Sequence, residues 1–86
     1  MIAMIFFDWK GPRDTVKEYG EKLEKACKKT GAKFHGIFNP GQDKWNFVAV
    51  TEAENHMECT KPIGEAGGMP ENMPHLVVKF YSKAYP

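Results

Sequence analysis

Residues 33–51 read Lys33-Phe34-His35-Gly36-Ile37-Phe38, then Asn39-Pro40-Gly41-Gln42-Asp43-Lys44, then Trp45-Asn46-Phe47-Val48-Ala49-Val50-Thr51. The first and last of these runs alternate their side chains at a period of two, the pattern of a strand with two distinct faces. Pro40 presets φ for the second position of a type II turn, and Gly41 accepts the positive φ that the third position demands. Asn39 to Gln42 therefore closes a hairpin between strands expected over 33–38 and 45–51.

Upstream of the hairpin, residues 2 to 9 form an apolar run too short for a helix that is apolar all round. It suits a strand at the centre of a sheet, covered on both faces. Gly11-Pro12 ends that strand, and Thr15-Val16-Lys17-Glu18 has the capping-box form that opens a helix. Val16, Tyr19, Leu23, Ala26 and Cys27 share one stripe at 100° per residue, Gly20 allows close approach to a sheet, and Gly31 supplies the stop. Glu18 with Lys22, Glu21 with Lys25, and Glu24 with Lys28 pair at i, i+4 on the other side. Downstream, Thr51-Glu52-Ala53-Glu54 repeats the capping pattern before a helix that Pro62 limits to two or three turns. Gly64, Gly67-Gly68, Pro70 and Pro74 mark a loop, and His75 to Tyr81 alternates as a last strand.

Strand, helix, strand, strand, helix, strand in one domain over residues 1–86 predicts an α+β fold. The expected arrangement is ferredoxin-like βαββαβ, a four-stranded antiparallel sheet with two helices on one face. The opposite face should then carry Met4, Phe6, Asp8, Lys33, His35, Ile37, Trp45, Phe47, Val77, Lys79 and Tyr81. A soluble monomer rarely leaves so large an apolar patch wet.

Composition sharpens this point. The chain has 86 residues, 42% hydrophobic and 27% charged, with a formal charge of +1, which excludes a disordered or polyelectrolyte chain. Six Phe, two Trp and three Tyr are many rings for so small a core. Residues 10 to 33 carry eight basic and four acidic groups, and residues 43 to 71 carry two basic and six acidic ones. Two solvated faces account for that polarity. No apolar run nears the roughly 20 residues that span a bilayer, and the apolar start lacks the basic region and cleavage site of a signal peptide. Cys27 and Cys59 read as reduced thiols, so a cytoplasmic protein without membrane contact is expected.

The apolar opening strand, the capped helix, the Phe34 to Phe38 and Trp45 to Val50 hairpin and the final Leu76 to Tyr81 strand together resemble the dimeric α/β-barrel proteins of the ferredoxin-like superfamily. That group includes small monooxygenases, isomerases and stress-responsive barrels. The resemblance implies a homodimer with sheet packed on sheet, its interface at Met4, Phe6, Ile37, Trp45, Phe47, Val77 and Tyr81. A small-molecule ligand is expected at Asp8, His35, Trp45, Lys79 and Tyr81, the polar and aromatic groups of the open face. His35 would be the natural acid or base there, with Asp8 orienting its ring. No catalytic residue is assigned, and no cofactor is expected.

Single-stranded RNA is the alternative covering. Asp43 to Val50 resembles a degenerate RNP1 strand of RNA-recognition motifs, with Trp45 and Phe47 at the third and fifth positions, where bases stack. Lys44, Asn46 and Val50 depart from that motif, Asp8 would repel phosphate, and the small net charge gives little counterion release. These features weigh against RNA. His56, Met57, Cys59, Met69, Met73 and His75 gather soft ligands in one stretch, but only His56 and Cys59 are closely spaced. Packing is expected there, no metal is assigned, and the sequence leaves open whether His56, Cys59 and His75 bind one. There is no phosphate loop, HExxH, CxxC or serine nucleophile elbow.

Overall fold

The computed structural model describes residues 1–41 and 45–85. Six elements follow in the order β1 (Ile2–Phe7), α1 (Val16–Thr30), β2 (Lys33–Phe38), β3 (Phe47–Glu52), α2 (His56–Glu65) and β4 (Leu76–Tyr81). The strands form one antiparallel sheet in the order β2-β3-β1-β4, so the fold is ferredoxin-like α+β. β1 is central, but helices cover only one of its faces: Ala3, Ile5 and Phe7 are buried, and Ile2, Met4 and Phe6 are half-buried.

The core lies between that covered face and α1. Tyr19, Leu23, Ala26 and Cys27 are the buried positions of α1, as its stripe predicts. Phe7 stacks on its register partner Phe47, with centroids 5.8 Å apart, and meets the Tyr19 ring edge-on at 6.1 Å. Ile5, Leu23, Ala49 and Met73 complete the cluster. Gly31 ends α1 in the left-handed region, and its N–H donates to the Cys27 carbonyl.

Both capping boxes fail. The Thr15 hydroxyl donates to the Pro12 carbonyl at 2.6 Å and accepts from the Trp9 indole at 2.8 Å, so it caps nothing, and a single 3-10 turn, Arg13–Thr15, leads into α1. Thr51 stays in β3, where its buried hydroxyl donates to the Cys59 carbonyl. Asn55 caps α2 instead, accepting from the Glu58 N–H at 2.9 Å. α2 continues through Pro62 for ten residues, within the expected length.

Two residues placed on the open face by alternation belong to the covered one. Phe34 opposes Thr51 and Gly36 opposes Val50, so His35 is the extra residue of a β-bulge. Parity reverses beyond it. Ile37 therefore opposes Ala49 and packs towards Gly20 of α1, while Phe38, opposite Val48, takes the open face. Phe47 is 8% exposed beneath the helices. The open-face interface expected at Ile37 and Phe47 is thereby corrected, because both side chains are spent on the core. Trp45 is half-buried and precedes β3, which begins two residues later than expected. Gly41 has the positive φ that the turn requires and donates to Asn39 Oδ1, but Gln42 lies outside the described residues, as do Asp43 and Lys44 of the RNP1-like stretch.

Candidate functional site

Register arranges the open face in three rows across the sheet. The first runs Lys33, Glu52, Ile2, Tyr81; the second Gly36, Val50, Met4, Lys79; the third Phe38, Val48, Phe6, Val77. The third row is wholly apolar, and the first carries most of the charge. Phe38, Val77 and Tyr81 are exposed, although large and apolar. The Lys79 ammonium sits 5.9 Å from the centroid of the Phe6 ring, close enough for a cation–π contact.

The bulge delivers His35 to the charged row. Its Nε2 lies 2.8 Å from Glu52 Oε1, with both side chains partly exposed. The hydrogen bond from His35 holds the Glu52 carboxyl below its ordinary value, helped by the charges of Lys33 and His35. An ionised Glu52 only accepts, so Nε2 carries a proton in this contact, and whenever the ring is neutral Nδ1 is its acceptor. That arrangement positions an imidazole for proton transfer or for binding a donor at Nδ1. Beside it, a cleft of about 570 Å³ is lined by Lys33, Glu52, Ala53, Asn55 and Glu58.

The residues expected to form one ligand site are dispersed within a single chain. Asp8 lies six positions along β1 from the Ile2 row, about 20 Å away at strand spacing. Its Oδ1 accepts from the Asn46 N–H at 2.8 Å, so Asp8 ties the chain entering β3 to the end of β1 and does not orient His35. Glu52 takes that role. Lys79 and Tyr81 stand on β4, three strand spacings from β2, about 14 Å. Trp45 is at the far end with Asp8. Alternation alone missed Phe38, Val48, Val50 and Glu52 on this face; the signal that points to the first is Gly36, an isolated glycine inside a strand pattern.

The RNA alternative loses a ring that it requires, since Phe47 is covered by helices. The soft-ligand stretch is dispersed too: His56 stacks on Phe80 at 4.1 Å, the buried Cys59 thiol faces the Met1 carbonyl, and His75 is exposed. Among the described residues no three His, Cys, Asp or Glu side chains gather as a metal site, and no helix is long and apolar enough to cross a membrane. No protein-family model matches the chain, and neither does any curated protein compared with it.

Proposed function

We propose that the chain is a small-molecule-binding protein of the dimeric α/β-barrel superfamily that works as a homodimer, two open sheet faces packed on each other. One observation carries the reading. An antiparallel sheet solvated on one side alternates apolar-in with polar-out, yet beside Lys33, Glu52 and Lys79 the outward positions here include Met4, Phe6, Phe38, Val50 and Val77. A two-fold axis parallel to the strands would lay β2 of one copy over β4 of the other and keep the rows level. His35 would then face Lys79 and Tyr81 of the second copy, with its partner Glu52 one strand further in. The polar groups that one chain holds apart would converge at each end of the interface, beside the apolar rows. Cys27 and Cys59, buried and unpaired, suit a reducing compartment, and the cytoplasm is part of this reading.

Sedimentation equilibrium at micromolar concentration tests it. The expected result is a dimer for the wild type and a monomer with unchanged far-ultraviolet circular dichroism for Val77→Lys, which places a charge in the apolar row without touching the core. A monomeric wild-type protein overturns the reading.

A further inference from the structure

On the helix side of the sheet, a second cavity of about 250 Å³ opens where the segment joining β1 to α1 meets the segment leading into β4. Trp9, Pro12, Tyr19, Pro70 and Asn72 form its walls. These walls are tied together. The Lys10 N–H donates to the Asn72 carbonyl at 2.8 Å, the Asn72 amide donates back to the Lys10 carbonyl, and the fully buried Met73 donates to the Pro70 carbonyl. Those bonds hold the Lys10 and Pro70–Asn72 side of the cavity in place.

One of its walls holds an anomaly. Tyr19 is 4% exposed, and its hydroxyl has no hydrogen-bond partner among the described residues. Buried hydroxyls are nearly always paired, so one left alone marks either strain or a missing partner. Burial pushes this hydroxyl up to about 12, which keeps it protonated and able to donate. The Trp9 ring lies 5.8 Å from the Tyr19 ring at a 32° tilt, half-buried, its indole N–H held by Thr15.

We propose that this cavity binds a neutral aromatic molecule of one or two fused rings, packed against Trp9 and accepting a hydrogen bond from the Tyr19 hydroxyl. Size sets the ring number, because the volume falls below the roughly 300–1,000 Å³ of pockets for drug-sized ligands. The walls set the chemistry: two aromatic rings and two prolines offer flat apolar surfaces between the polar Thr15, Glu18, Lys22 and Asn72, and one unpaired donor asks for one acceptor. Glu18 and Lys22, one turn apart on α1, bring opposite charges to the lining and so favour a ligand without net charge. The hydroxyl is sealed from solvent, so the proposed bond requires the Trp9 indole to leave Thr15 and uncover it. The site is on the face opposite the proposed dimer interface and does not depend on it.

Quinoline, a two-ring acceptor, and naphthalene, its match in shape without an acceptor, are the probes. They are titrated into the full chain while the Trp9 indole N–H resonance and the melting temperature are followed. Quinoline is expected to shift that resonance and raise the melting temperature, with naphthalene at least tenfold weaker. Tyr19→Phe removes only an unpaired hydroxyl, so it should melt no lower than the wild type and bind quinoline about tenfold more weakly. The proposal is overturned if quinoline at millimolar concentration leaves the Trp9 resonance unmoved, or if Tyr19→Phe binds quinoline as well as the wild type. It is also overturned if Tyr19→Phe melts lower without ligand, because the hydroxyl would then already have a partner.

Discussion

Two glycines respond in opposite ways to the same added methyl group. Gly36 sits beside the bulge with φ near +120°, a conformation that L side chains rarely adopt, whereas a Cβ at Gly20 would meet only the flexible end of Ile37 at 3.4 Å. Gly36→Ala is therefore expected to cost about 1–3 kcal/mol through backbone strain. Gly20→Ala should gain roughly 0.5–1 kcal/mol, because glycine inside a helix is less favourable than alanine by that amount. Urea melts read both, and a Gly36→Ala variant as stable as the wild type would show that β2 does not need the bulge. The same residue explains where alternation misleads. A period of two assigns every later residue of a strand from the first, so one extra residue at His35 moves Ile37 and Phe38 to exchanged faces. In β3 both sets are apolar, Phe47 and Ala49 against Val48 and Val50, and nothing in the strand itself marks which set is covered. Lys79 and Tyr81 in β4 settle that choice, and there Val77, Lys79 and Tyr81 lie where alternation puts them.

Elements are more legible than the contacts that join them. The stripe of α1 is visible because five side chains repeat at one period, but its cap is not, because the Thr15 hydroxyl is drawn away by Trp9, a residue outside the local pattern. The link between the two helices is likewise tertiary. Lys29 Nζ, in the last turn of α1, lies 2.7 Å from Glu65 Oε1, in the last turn of α2. The hydrogen bond and charge of Lys29 lower the Glu65 carboxyl from its ordinary 4.5, and those of Glu65 raise Lys29 from its ordinary 10.5. The depressed acid contributes stability above 4.5 that is lost as pH falls through its folded value; the raised amine contributes below 10.5 and is lost as pH rises through its own. The stability difference between the wild type and Glu65→Gln should thus be level from about pH 5 to pH 10, shrink beyond both ends, and fade in roughly 1 M salt, because the pair is solvent-exposed. A difference that persists unchanged to pH 2 would mean that the substitution acts through something other than this pair.

At the scale of the whole molecule, the rings divide between two tasks. Phe7, Phe47 and Tyr19 hold the helices to the sheet, while Phe6, Phe38 and Tyr81 lie on the face that the helices leave bare. Truncation separates the tasks. Phe47→Ala deletes a core ring stacked on Phe7 and should cost about 3–5 kcal/mol, the usual penalty for emptying an aromatic site. Phe6→Ala removes a half-buried ring from the open face, so the isolated chain should keep most of its stability while self-association weakens. If two copies share that face, the wild-type melting temperature rises with protein concentration, since association stabilises the folded state by mass action. Phe6→Ala should flatten this dependence, and Phe47→Ala should lower the melting temperature at every concentration while leaving the slope. Flat behaviour in the wild type, or an equal loss of stability in both variants at high dilution, would place Phe6 in a monomer's packing and remove the need for a second copy.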